Sequence, residues 1–380
     1  MDNLTHSLVG LTAAKAGLER LSPGATTLAI IAANAPDVDI AILLTGDRWT
    51  YLQHHRGITH AIVGVVALAL LVPLIAHGID RLWARFRKRT HTTKLRGLMI
   101  VSLLVSATHP LLDWTNNYGM RFFLPWSPKW YYGDLVFIID PYIWLVLGGA
   151  SFLLTATTNL KKVVWAVLGI VVTVLVLMGS RRAGFPPPFF FTAFWIAGIV
   201  TLILMFVFGA RRRLGAKLAI VALILVPLYW SFLGYVHSKA VSLAHRSAKM
   251  IAPNENVLRL AAMPTLANPQ QWDCVFETEK ATYRFRLSFL TLSLSHTQVV
   301  RYEKPSGDLA EAFETVSRER PAQVFLGFAR FPVARLSNPD CVTETLVQLA
   351  DLRYTEPGSS RGTFAVELPV ECPSSNEGGR

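Results

Sequence analysis

The sequence predicts a polytopic α-helical membrane domain followed by a C-terminal strand-rich soluble domain of α+β or β class. Three observations lead there. Hydrophobic residues make up 52% and charged residues only 16% of the 380 residues, with a mean hydropathy of +0.38, greasier than a soluble domain of this size. Apolar runs long enough to cross a ~30 Å hydrocarbon core recur up to about residue 235. After about residue 240 these runs stop, and alternating stretches such as DCVFETEK, TYRFRLSF and TFAVELPV read as strands.

Two short apolar stretches, 4–18 and 25–36, flank the turn ERLSPG and form either a tight helical pair or a re-entrant hairpin. The opening MDNLTHSL lacks a basic n-region, and its apolar run ends at Lys15 and Arg20 without a small-residue cleavage site. No removable signal peptide is therefore expected, and His6 stays in the mature chain. Full spans are expected at 61–79, 135–156, 163–179, 189–208 and 216–235, with 97–113 a shorter sixth whose far end emerges at His109. The connection 81–96 carries seven Lys or Arg and is placed in the cytoplasm by the excess of positive charge on that side. Counting spans from it puts Lys161, Lys162, Arg211, Arg212, Arg213 and Lys217 inside as well, leaving Arg181 and Arg182 as the one basic pair outside.

This pattern gives a membrane domain over 1–238, an extracytoplasmic domain over 239–372 and a polar, disordered tail over 373–380. Cys274, Cys341 and Cys372 all fall in the last third without CxxC spacing. One disulfide and one odd thiol are allowed there, and the pair stays open. The net charge of +12 lies in short connections, where it sets topology, so no nucleic-acid partner is expected. No internal repeat of the transporter kind is visible.

The polar residues that interrupt the apolar half are His6, Asp37 and Asp39 in NAPDVD, His55 and His60 in HHRGITH, His109 and Asp113 in HPLLDW, Asp134 in YYGD, and Asp140 in DP. In the topology above each falls at or near the outer end of an apolar segment. Ionisable groups at membrane depth are expensive and need a partner, water or a metal, and imidazole with carboxylate suits zinc, manganese or iron. His109 and Asp113 stand four apart, so a helix aims both at one point. His55 and His60 converge only if the chain turns at Gly57, and Asp37 and Asp39 follow a proline in a loop. Any one cluster has an ordinary reading as cap, turn or solvated side chain, the reading preferred for His54, His77, His91, His237 and His245. Four clusters on one face point to a metal site. Trp114, Tyr118, Trp126, Trp130, Tyr131 and Tyr132 form an interfacial belt, and Arg56 and Arg121 are the nearest cations for an anionic substrate group.

MDNLTHSLVG, NAPDVD, HHRGITHAIVG, HPLLDWTNNYGMRFFLPWSPKWYYGD and FIIDPYIW resemble the YdjM-like family of membrane-bound metal-dependent hydrolases over about residues 1–144. FLGFARFPVARL at 325–336 resembles a stretch of the outer domain of longer members. The resemblance implies His6, Asp37, His55, His60, His109 and Asp113 as metal ligands. It implies Asp39, Asp134 and Asp140 as further ligands, hydrogen-bond acceptors behind the ligands, or a catalytic general base.

The expected function is metal-assisted hydrolysis, with one or two divalent ions, zinc first among them, at the outer face of a bacterial inner membrane. The expected partners are membrane lipids and a lipid-like or phosphoester substrate. Two other readings remain open: a non-catalytic envelope protein with a structural metal, and a transporter.

Overall fold

The computed structural model describes residues 1–182, 189–289, 299–338, 344–359 and 364–371. The chain forms two compact units. One comprises Met1–Asp39, Arg56–Val236 and Pro264–Pro269, the other Ile40–His55, His237–Met263 and Gln270–Arg380.

The first unit starts with α1 (Asn3–Lys15), capped by Asp2, whose Oδ1 accepts the Thr5 N–H at 2.9 Å. A 3₁₀ turn, Leu18–Leu21, leads to α2 (Ala25–Asn34). The two helices pack as an antiparallel pair in backbone contact: a Cβ on Gly10 would lie 2.6 Å from the Ala29 carbonyl oxygen, and Ala14, Ala25, Ala29 and Ala33 form the surrounding core with Leu28, Leu98 and Val101. Of the two readings open for residues 4–36, this is the helical pair. α2 runs on into a 3₁₀ helix, Ala35–Leu44, so PDVD is helical rather than a loop. Ala25–Leu44 is thereby long and apolar enough to cross a membrane.

Next come α3 (Arg48–His54), which belongs to the second unit, and α4 (Ile62–Phe86), α5 (Leu95–Ser106) and α6 (Thr108–Trp114). The expected span 135–156 is shorter. Helix α7 covers only Pro141–Thr155, because Asp140 caps it and the residue before a proline is pushed out of the helical region. α8 (Asn159–Arg182), α9 (Phe189–Val207), α10 (Ala210–Leu214) and α11 (Lys217–Ile251) complete the set. α11 has 35 residues and contains residue 238, next to the division between the units at Val236 and His237. In all, six helices among the described residues are long and apolar enough to span: Ala25–Leu44, Ile62–Phe86, Leu95–Trp114, Asn159–Met178, Phe189–Val207 and Lys217–Ile251.

Contacts within the first unit show which helix ends lie together. Asn34 Nδ2 donates to Ser7 Oγ at 3.0 Å, and Lys94 N–H donates to Ser22 Oγ at 2.9 Å while Ser106 Oγ donates to the Ala32 carbonyl at 3.2 Å. The ends of α2 and α5 therefore meet the start of α1. Trp144 Nε1 lies within reach of Asp2 Oδ1 (3.2 Å) and Thr5 Oγ1 (3.0 Å), and Thr12 Oγ1 sits 3.1 Å from Ser151 Oγ, so α7 runs parallel to α1. Tyr142 meets Phe191 and Phe152 meets Phe206, which makes α9 parallel too. Trp165 Nε1 donating to Thr155 Oγ1 (2.8 Å) turns α8 antiparallel, and Tyr229 against Tyr142 does the same for α11. One end thus holds His6, the end of α2, α6 and Asp140. The opposite end gathers Lys161, Lys162, Arg211, Arg212, Arg213 and Lys217.

The second unit settles the C-terminal class as α+β. Strands β1 (Arg259–Thr265), β2 (Asn268–Glu277), β3 (Ala281–Ser288) and β4 (Val300–Glu303) form one sheet in sequence order. Helices α12 (Asp308–Ser317) and α13 (Arg320–Phe328) lead to a second sheet of β5 (Pro332–Leu336), β6 (Glu344–Asp351) and β7 (Ala365–Glu371). β2–β3, β3–β4, β5–β6 and β6–β7 pair antiparallel. The FLGFARFPVARL stretch spans the end of α13 and β5, and its Phe325, Phe328 and Phe331 are buried. Cys274 is a free thiol in β2, and burial pushes its pKa well above the ordinary thiol value. Cys341, Cys372 and the tail 373–380 lie outside the described residues, as do the side chains of Arg181 and Arg182.

The Gly10 contact is testable. Gly10→Leu is expected to lower stability by about 1–3 kcal/mol through overpacking, read as a fall in the thermal midpoint in detergent. Gly78→Leu, whose added Cβ meets nothing within 4 Å, should leave the midpoint unchanged.

Candidate metal centre

Helical spacing places the first two donors. His109 and Asp113 lie one turn apart on α6, with His109 Nε2 3.5 Å from Asp113 Oδ2. His109 Nδ1 is 2.7 Å from the Ala33 carbonyl, an acceptor only, so Nδ1 carries the proton and Nε2 keeps its lone pair. That Nε2 is buried without a hydrogen-bond partner and points at Asp37 Oδ1 (3.7 Å) as well as Asp113.

The second imidazole arrives from a turn. After His55 the chain reverses at Arg56, in the left-handed region (φ 51°), and the His60 and Ala61 N–H groups both donate to the Gly57 carbonyl. This turn lies directly on the first turn of α4, where a Cβ on Gly64 would be 1.8 Å from the Ile58 carbonyl oxygen. His60 is held at both nitrogens: Nε2 is 3.2 Å from Asp37 Oδ1 and 3.6 Å from Asp113 Oδ2, and Nδ1 is 3.4 Å from Asp39 Oδ2. Asp39 Oδ2 also accepts the Arg56 N–H at 2.9 Å.

Asp37, His60, His109 and Asp113 each offer one donor atom, and these atoms all lie within 4.8 Å of one another. Tetrahedral ligands at the ~2.0–2.2 Å of zinc–nitrogen and zinc–oxygen bonds sit roughly 3.3–3.6 Å apart. The four imidazole–carboxylate separations, from 3.2 to 3.7 Å, lie close to that edge. The residues present therefore fit a divalent metal. Three of the four are buried, while Asp37 is 18% exposed and its Oδ2 accepts from Asn3 Nδ2 at 3.1 Å. His6 stacks on His109 with ring centroids 3.9 Å apart, and its Nε2 is 3.4 Å from Asp113 Oδ1. The Met1 amine also contacts Asp113 Oδ1.

Residues 1–185 match the family described as YdjM inner membrane protein. A relative, "Inner membrane protein YbcI" of Escherichia coli (strain K12), is 29% identical over 159 residues, covering 41% of this chain and 80% of that protein. No solved structure is a significant match. The YdjM match contains all four converging donors and leaves out the strands of the second unit. Both descriptions name an inner membrane protein, in keeping with the six helices long and apolar enough to span.

Other residues singled out within the YdjM match take different positions. His55 belongs to the other compact unit, where its ring stacks on Tyr51 at 4.7 Å, and it is not among the four converging donors. Arg56 is 2% exposed and does not face an incoming anion. Its Nη1 donates to the Asp113 carbonyl, Asn116 Oδ1 and the Gly119 carbonyl at 3.0–3.1 Å, its Nη2 to Asp113 Oδ1 at 3.1 Å, and it lies over the Tyr118 ring. Arg121 is half-buried over the Trp130 ring. Asp140 caps α7 and is not among the converging donors: Oδ1 accepts the Tyr142 and Ile143 N–H groups, and Oδ2 accepts from the Tyr229 hydroxyl. Asp134 is buried in left-handed backbone, in the segment that pairs with Trp114 and Thr115, and is not among the converging donors. Asn116 and the Ala33 carbonyl went unmarked in the sequence. Asn116 had a signal, its place in TNNYG after HPLLDW, whereas a backbone carbonyl has none.

The Asp140 assignment separates two variants. Asp140→Ala should cost about 1 kcal/mol with loss of the cap, and Asp140→Asn, itself a good cap, much less. Neither should change bound metal measured by elemental analysis.

Proposed function

We propose that the protein is a membrane-bound, divalent-metal-dependent hydrolase acting on a lipid-linked or phosphoester substrate at the membrane surface. One ion, zinc first among candidates, would be held by Asp37, His60, His109 and Asp113, with His6 beside them. The observation that carries this reading is the convergence of four donors at metal-ligand spacing, with only Asp37 reaching solvent. When bound, the ion supplies a water of pKa near 7 and polarises the scissile oxygen.

The chain's own groups do the rest. The Ala33 carbonyl fixes the His109 tautomer, Asp39 orients His60 through Nδ1, and Arg56 holds the Asp113 carboxylate in place. Asp37, the partly exposed member, borders the side from which water and substrate enter. The basic helix ends lie opposite this group, so positive charge on the cytoplasmic side would turn the site, and the C-terminal unit after it, outward.

Four converging protein donors also support a second reading, a structural metal with four protein ligands. Metal analysis and turnover of the purified protein separate the two. About one ion per chain is expected, lost in His60→Ala and Asp113→Asn and bound 10–100-fold more weakly in Asp39→Asn. Hydrolysis of a panel of lipid and soluble phosphoesters should fall at least 100-fold in the two ligand variants. Metal without turnover on any substrate supports the structural reading, and a wild-type protein free of stoichiometric metal defeats both.

A further inference from the structure

Behind α1, the helix that carries His6, lies an apolar cavity of about 550 Å³ between α1, α7, α8 and α9. Leu4 and Leu8 of α1 line it, roughly opposite His6 around the helix. Trp144 and Phe206 mark its two ends along the bundle, and Lys162 is the one charged side chain among the described residues lining it. A space of this size is ample for a ligand, and walls of this composition do not hold ordered water.

The charge around it is one-sided. Lys161 and Lys162 open α8, and Arg211, Arg212, Arg213 and Lys217 fill the α9–α11 connection at the same end of the bundle. Neither 156–162 nor 207–217 contains an Asp or Glu. Clusters of four to eight basic residues beside membrane helices attract anionic headgroups.

We propose that this cavity and its basic rim form a binding site for one anionic phospholipid, an acyl chain filling the slot and the phosphate held at Lys162 and its basic neighbours. The site is separate from the metal group and does not depend on the hydrolase reading. A zwitterionic lipid would fill the same slot without using the charge, so headgroup preference is the signature.

Native mass spectrometry of the full chain in mild detergent, with phosphatidylglycerol and phosphatidylcholine added in equal amounts, reads it directly. One phosphatidylglycerol per chain is expected, favoured at least tenfold. Lys162→Glu, at an exposed position, should cut that preference at least fivefold, equivalent to the roughly 1 kcal/mol of a basic side chain at an anionic surface. Gly169→Phe should abolish retention of both lipids, since a Cβ there meets nothing within 4 Å and Gly169 lines the slot. The same substitution improves helix propensity, and an unchanged thermal midpoint verifies the fold. Equal retention of the two lipids, or full preference in Lys162→Glu, overturns the proposal.

Discussion

A carboxylate buried among membrane helices has to be met by donors and cations, because nothing in hydrocarbon solvates it. Asp113 is such a group, and the first unit is arranged around it. Arg56 reaches it from the turn before α4, His6 from α1, His60 from beyond that turn, and His109 from its own helix. Removing Arg56 would leave a charge without its partner and loosen Asn116 and Gly119 with it. The converging His and Asp donors and the packing of the helix ends are therefore one construction.

Much of this was legible in the sequence where the information is local. His109 and Asp113 share a helix face because four residues are about one turn, and long apolar runs read as helices because a span needs about 20 residues. Class was legible too, since period-two stretches announce strands. The pairing of His60 with Asp37 and Asp39 is not local. It depends on a 3₁₀ helix that continues α2 and on a reversal at Arg56, a residue type that rarely adopts positive φ.

Where the residues took other places, the reason is geometric. His55 lies before the reversal and His60 after it, and of the two only His60 is among the converging donors. Arg56 looked like an anion contact because charge suggests exposure, yet its fork finds four acceptors inside. Asp140 stands before Pro141, where Asp marks a helix start, and three donors bind it there, away from the converging group.

Gly64 has a mechanical consequence. α4 has 25 residues, but its apolar part ends at Ile79, before Asp80, Arg81 and Arg85, and at 1.5 Å per residue that part is about 27 Å long, close to a ~30 Å hydrocarbon core. The Ile58 carbonyl lies where a Cβ of residue 64 would be, so the turn bearing His60 packs directly on the start of α4. Any side chain at position 64 would have to push that turn aside, so the place of the His60 imidazole is tied to the absence of a side chain at the start of the span.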